Sequence, residues 1–297
     1  MHNWKWTQIA KHKTLTEGPV WDGSGLLYNE VAKSTTFRWD PKTDDISIWR
    51  KSTGETNGMT FDRQGQLFAC EGGAHRVTKI DPETPDINPM VVSEGLEGET
   101  LNWPNDLAID QHGRVYFSDP NYSSNPNNLD EESIYMAEHT FGGNWNTLRV
   151  TVDTYKPNGV LFSIDQKTLF VADAPFEPSE PRRLLAYPVN TDGTLGDYQI
   201  LHDFGQGRGI DGMTLTSSGM IIATAGSSSA GPGSMIYEFE PSGRVVRTHP
   251  TPAESPTNCT YGGTSLSTLF VTFSGGEVYK VDETGHSGHL SYPQRRF

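Results

Sequence analysis

Six times along this chain a polar entrance leads into a short apolar run, a turn, and a second apolar run. The six segments are TEGPVWDGSGLLYNE, TNGMTFDRQGQLFACE, LNWPNDLAIDQHGRVYFSDPNY, KPNGVLFSIDQKTLFVAD, GIDGMTLTSSGMIIATAG and NCTYGGTSLSTLFVTFSGG. Their entrances are marked by Glu17, Asn57, Asn105, Asn158, Asp211 and Asn258. These anchors recur roughly every 40–50 residues, the length one four-stranded propeller blade requires. Third strands are expected at TTFRWDP, RVTKIDP, SIYMAE, RRLLAYPV, SMIYEFEP and EVYKVDE. No window keeps a helical period, so the chain reads as all-β.

The expectation is therefore a six-bladed β-propeller that uses residues 1–297 as one domain. The unit from Tyr261 to Val281 supplies only three evident strands. A strand within Asn3–Lys11 is expected to complete it and so close the last blade. A two-sheet sandwich is the competing architecture, but the even repeat and the lack of a Gly/Ser linker between halves argue against it. NPNNLDEES and APFEPSEPRR read as loops, with the latter's PFEPSEP portion expected across one face. GSSSAGPGS reads as a mobile loop, because glycine and serine allow many backbone states.

Charge and composition narrow the function. The formal net charge is −14, and without clustered Lys and Arg the phosphate backbone of a nucleic acid is excluded as the main partner. Cys70 and Cys259 offer neither a disulfide framework nor metal-knuckle spacing and are expected to be free, half-buried thiols. MHNWKWTQIAKHK lacks the apolar centre of a signal peptide, and no run is long enough to span a bilayer. A cytoplasmic, non-membrane protein, monomeric or weakly oligomeric, is expected.

In a propeller the innermost strands line a central channel, so residues at their entrances meet although distant in sequence. Glu17, Asn105, Asn158 and Asp211 offer carboxylate and amide oxygens, hard ligands suited to calcium or magnesium. Zinc and manganese are compatible with the same oxygens. Asn57 shares the phase and is assigned to substrate or water. At the sixth entrance Thr257 or Cys259 competes with Asn258 for the channel. His75 and His112 read as structural and exposed, respectively. GSSSAG lacks the G-x-S-x-G of a nucleophile elbow, and GQGRG matches no phosphate-binding motif.

TEGPVW at Thr16–Trp21, NGMTFD at Asn57–Asp62, RVTKID at Arg76–Asp81 and WPNDLAID at Trp103–Asp110, with VYFSDPNY, KPNGV and GIDGM, resemble the senescence-marker/gluconolactonase family of six-bladed propellers along nearly the whole chain. The resemblance implies a lactonase of sugar acids that needs one divalent cation, often calcium or zinc. It implies Glu17, Asn158 and Asp211 as metal ligands, and Asn105 as a substrate contact or further ligand. Two positions depart from the family. Trp103 stands where animal members carry an arginine, and Gly72 stands at the histidine of a CEHG-like stretch, here Cys70-Glu71-Gly72-Gly73. Some relatives hydrolyse organophosphates instead.

The expected chemistry is opening of a lactone ring with the carbonyl polarised by the cation. Asp211 is the candidate general base, with activation of water by the ion itself as the alternative. Asp106 is assigned to orienting the ligands, and Trp103, Asn57, Asn105 and Arg76 to substrate binding. Hydrolysis of organophosphate triesters and a non-catalytic, calcium-binding interaction module are the competing functions.

Overall fold

The computed structural model describes residues 4–290, apart from residue 178 and the side chain of residue 230. Six four-stranded antiparallel sheets form a ring, the six-bladed propeller the repeat calls for. Blade 1 comprises Thr16–Trp21, Leu26–Glu30, Thr35–Trp39 and Ile46–Lys51. Blade 2 comprises Thr56–Phe61, Leu67–Glu71, Arg76–Ile80 and Met90–Ser93. Blade 3 comprises Leu107–Ile109, Val115–Asp119, Ser133–His139 and Trp145–Arg149. Blade 4 follows with Pro157–Phe162, Thr168–Asp173, Arg183–Pro188 and Gln199–Asp203. Blade 5 has Ile210–Leu215, Ile221–Ser227, Ala230–Phe239 and Val245–Pro250.

Blade 6 takes Pro256–Gly262, Thr268–Phe273 and Glu277–Val281 from the end of the chain and Thr7–Lys11 from its beginning. The last two pair antiparallel, so the ring is closed by strands from opposite ends, as the three-stranded final repeat required. Of the expected segment Asn3–Lys11, Asn3 lies outside the described residues, and Trp4 and Trp6 precede the strand and pack against the core between blades 5 and 6.

Six apolar clusters fill the ring, each between neighbouring blades. Phe68, Val77, Ile109 and Phe117 join blades 2 and 3, and Phe170, Leu184, Met213 and Ile221 join blades 4 and 5. Where blade 6 meets blade 1, Trp21 stacks on Phe270 with centroids 5.7 Å apart, and Trp39 tilts against the same ring. Alternating inward residues on adjacent sheets thus bury each other, which no blade achieves alone. Cys70 and Cys259 are free and fully within these cores, deeper than the half-burial expected.

The inner strands approach one another closely at the channel. Five of them shift register just after the anchor, as between Glu17 and Val20 or Ile210 and Met213. Such bulges re-aim a side chain, here towards the axis. The residue after the anchor is glycine in four blades because the next blade leaves no room for more. A Cβ on Gly18 would lie 1.9 Å from the Asn57 carbonyl oxygen, and one on Gly159 2.5 Å from that of Asp211. Gly18 also has φ +55°, a second reason for glycine there.

GSSSAGPGS departs from expectation. Ile221–Ser227 and Ala230–Phe239 run through it as a hairpin, with Ser227 paired to Ala230 and Ala225 to Met235. Cross-strand backbone bonds order a stretch whose composition alone suggests freedom. NPNNLDEES is a loop as expected; the same holds for the described part of APFEPSEPRR, whose Pro178 is outside the described residues. No helix among the described residues is long and apolar enough to cross a membrane.

The close contact at Gly159 is testable. Gly159→Ala should cost about 1–3 kcal/mol through overpacking against the Asp211 backbone, read as a lower midpoint in chemical denaturation. An unchanged midpoint would mean that blades 4 and 5 are not in contact there.

Candidate active site

The anchor ring divides the channel in two. On one side opens a cavity of about 770 Å³ whose floor includes Glu17, Asn57, Asn105, Asn158 and Asp211. On the other side a smaller cavity of about 120 Å³ runs between the inner strands and is lined by Asp106, Asn258, Cys259 and His289. Five of the six anchors therefore meet in one cavity, brought there by bulges in strands from blades 1, 2, 4 and 5 and by the segment entering blade 3. In blade 3 the inner strand begins only at Leu107. Asn105 N–H donates to the Ser118 carbonyl at 2.9 Å, and Ser118 N–H to that of Asp106 at 3.0 Å, which extends the pairing up to the site.

Each floor residue is held by specific partners. Glu17 Oε2 accepts from the Gly18 amide at 2.6 Å. Its burial, followed by the charges of Asp211 and Asp106, holds its carboxyl well above the ordinary range, against hydrogen bonds from Gly18 and the Asn258 side chain. Burial also raises Asp211, opposed by the Arg208 guanidinium, with which it is ion-paired, and by a bond from Asn158. Asn158 Nδ2 donates to the Tyr122 hydroxyl at 2.8 Å. The Asn57 carbonyl accepts from Asn29 Nδ2 at 2.8 Å, whereas its side-chain Oδ1 is buried with no hydrogen-bond partner.

Two desolvated carboxylates and a partnerless buried amide oxygen at one point call for positive charge or donors from outside the chain. Arg208 offsets only part of that demand. Among the described residues no three His, Cys, Asp or Glu side chains gather as a metal cluster. A cation here would thus depend on amide oxygens from Asn158, Asn105 or Asn57 beside Glu17 and Asp211. Such an all-oxygen set fits a hard divalent ion.

Asp106 occupies the position that is glycine in four other blades and sits beneath the floor. Its Oδ1 accepts from the Leu107 amide at 2.9 Å and its Oδ2 from Val160 at 3.3 Å across the blade boundary. Burial nevertheless raises its pKa to about 7. It thus ties blade 3 to blade 4 directly below Asn105.

Trp103 lines the cavity, but Arg76 does not. Arg76 Nε donates to Glu71 Oε2 at 2.7 Å, and Arg50 binds the other oxygen of the same buried carboxylate at 2.7 Å. The assignment of Arg76 to substrate is therefore replaced by a structural ion pair within blade 2. Thr257 faces the cavity at the sixth entrance, while Asn258 and Cys259 line the lower space. His75 Nδ1 lies 2.5 Å from the Asn102 carbonyl oxygen, outside the cavity, and His112 is exposed.

Arg208, Tyr122 and Phe176 are among the cavity residues that were not anticipated. Arg208 lies in GQGRG, three positions before Asp211, and donates to the carbonyls of Gly226 and Pro256 at 3.3 and 3.0 Å. Tyr122 closes VYFSDPNY and packs its ring 5.6 Å from that of Phe176. A charge one turn of chain before an anchor was the available signal for Arg208. Nothing local marks Phe176.

The SMP-30/Gluconolactonase/LRE-like region matches residues 15–275. The chain is 27% identical to a gluconolactonase of Zymomonas mobilis, covering 90% of this chain and 78% of that protein. It is 31% identical to a 6-deoxy-6-sulfogluconolactonase of Pseudomonas putida, covering 90% and 85%. Among solved structures, a gluconolactonase from Xanthomonas campestris superposes with TM-score 0.78 at 23% identity, covering 94% of this chain and 89% of that one. A calcium-binding protein, regucalcin, from Agrobacterium tumefaciens does so with TM-score 0.79 at 15% identity, covering 99% and 98%. At those identities the structural likeness establishes the fold.

Asp106 yields a test in the chelated protein. With its folded pKa near 7 and its unfolded value near 3.8, the folded state holds a proton that the unfolded state releases. Its contribution to stability is therefore greatest below the unfolded value and is lost as pH rises towards about 7. Unfolding free energy measured from pH 4 to 8 should fall more steeply for the parent than for Asp106→Asn. Parallel curves would contradict a buried, proton-holding carboxyl.

Proposed function

Because the chain belongs to the SMP-30/gluconolactonase/LRE-like family, we propose that it hydrolyses a lactone, in the first place that of a sugar acid, with the help of one divalent cation. The observation that carries this reading is the meeting of Glu17, Asn158 and Asp211, with Asn105 and the partnerless Asn57 Oδ1, on the floor of one cavity. The named gluconolactonase relatives support the reaction class. Glu17, Asn158 and Asp211 would hold the cation, with Asn105 beside them as ligand or substrate contact. When bound, the ion supplies electrophilic polarisation of the lactone carbonyl. Calcium suits the oxygen set best, and zinc, magnesium or manganese are the alternatives.

The chain's own residues supply the rest. Asp211 would accept a proton from the attacking water, its carboxylate held by Arg208 and Asn158. The water oxygen forms the new bond to the carbonyl carbon, and its proton passes to Asp211. The bond to the ring oxygen then breaks, and Asp211 returns the proton to that oxygen, which becomes the hydroxyl of the product acid. Asn57 and Asn105 offer donors and acceptors to ring hydroxyls. Asp106, bonded to the backbone on both sides of the blade boundary, keeps the floor in register. The substrate is the small-molecule partner, and the protein is taken to act in the cytoplasm as a monomer or weak oligomer.

Proton release across a lactone panel, with phosphotriesters in parallel, tests this. Chelation should abolish turnover and re-addition of a divalent ion restore it. Asp211→Asn and Glu17→Gln should each lower kcat/KM by at least about 100-fold, the scale of lost transition-state charge stabilisation, and remove the ion-induced rise in Tm. Undiminished turnover in excess chelator would sink the metal-dependent reading. Ion binding with no turnover of any ester would favour an interaction module.

A further inference from the structure

Around the cavity wall the side chains divide into two arcs. Leu15 and Val31 from blade 1, Trp103 from the entrance to blade 3, and Phe176 after the second strand of blade 4 form a mainly apolar arc, in which the guanidinium of Arg182 is turned to the Phe176 and Glu177 carbonyls at 3.0 and 3.3 Å. Ser227, Ser229, Glu254 and Arg208 form a polar one from blades 5 and 6. A fully hydroxylated sugar lactone would turn some hydroxyls towards that arc, where apolar side chains offer few partners in place of water.

Trp103 is built into place. A Cβ on Gly72 would lie 2.3 Å from the indole Nε1 and 2.4 Å from Cδ1, so the ring lies directly on a backbone that only glycine leaves bare. Asp119 accepts from the amides of Asn102 and Trp103 at 2.7 and 2.8 Å and fixes the backbone that carries the ring. The His75 ring meets the indole edge-on with centroids 5.8 Å apart. The backbone at Gly72 and the His75 ring thus pack against the indole, which lines the wall two residues from Asn105. Phe176 is 68% exposed at the same cavity, with the Tyr122 ring tilted against it and the Lys156 ammonium 5.9 Å from its centroid. An apolar group in the cavity would remove both rings from water. On the polar side Glu254 is held by the Ser228 amide at 2.6 Å and the Ser234 hydroxyl at 3.0 Å, so that arc is ordered as well.

We infer that the preferred substrate is a two-faced lactone, carrying an alkyl or aryl substituent on one flank and hydroxyls on the other, with Trp103 as the residue that selects the apolar flank. This rests on the lactone-hydrolase reading and replaces the plain sugar-acid lactone with a substituted one as the preferred substrate. The test compares hydroxylated aldonolactones with lactones of equal ring size bearing a pentyl or phenyl group, in the parent, Trp103→Ala, Trp103→Phe and Phe176→Ala. The parent should favour the substituted lactones at least tenfold in kcat/KM, chiefly through KM. Trp103→Ala should lose at least tenfold more on substituted than on hydroxylated lactones, Phe176→Ala should shift in the same direction, and Trp103→Phe should restore most of the preference. Equal losses on both classes, or a parent that prefers aldonolactones, would overturn the inference. Calorimetry with the corresponding lactams separates the two layers. If no lactone turns over, the hydrolase reading fails, yet phenyl-lactam binding lost in Trp103→Ala upholds the apolar arc. Absence of that binding in the parent overturns it.

Discussion

At the axis of the ring the backbone of one blade presses against the next more closely than a methyl group permits. Gly18 meets the carbonyl of Asn57, Gly58 that of Asn105, Gly159 that of Asp211, and Gly212 the Asn258 side chain. Each contact sets an anchor against its neighbour's strand, so the anchors' positions are properties of the ring and not of single blades. Dispersion between close-packed atoms falls away within a fraction of an ångström, which gives this arrangement little tolerance. The site inherits its rigidity from there, because a cation or substrate at the floor must find all its oxygens at once.

Blade 3 breaks the pattern. Where four of the others place glycine, it places Asp106, and the carboxylate reaches across to the Val160 amide. A backbone contact is replaced by a side-chain hydrogen bond, at the cost of burying a carboxyl. That exchange leaves an ionisable group under the floor, within electrostatic reach of Glu17 and Asp211. The carboxyl groups at and below the floor thus come from three blades, and Arg208 is ion-paired to that of Asp211.

The architecture and the anchors were readable because polar residues at strand entrances contradict the alternation of a buried sheet, and the contradiction recurred six times. The outermost strands were less readable. Ile46–Lys51 is exposed along most of its length, so its sequence carries no buried face to detect. Arg76 was misjudged because distance from the axis is not written in a strand's own pattern; it opens a third strand, and Glu71 beside it takes the guanidinium. Tyr122, Phe176 and Arg208 reach the cavity from connections between strands or blades, and where such loops lead is decided only when the ring closes. The Gly/Ser stretch after Gly226 misled for a related reason, since composition reports the freedom of a lone segment and not the neighbour that orders it.

Blade 6 joins Thr7–Lys11 to Glu277–Val281. During synthesis Thr7–Lys11 emerges before the other five blades, and its partner Glu277–Val281 only after them. Pairings between such remote segments are slow to form. Until they do, an arc of blades has two open ends, with unpaired amides and carbonyls on show and prone to pair with another chain. The clasp that closes the disc therefore leaves the nascent polypeptide dependent, until Glu277–Val281 has been made, on conditions that hold back aggregation.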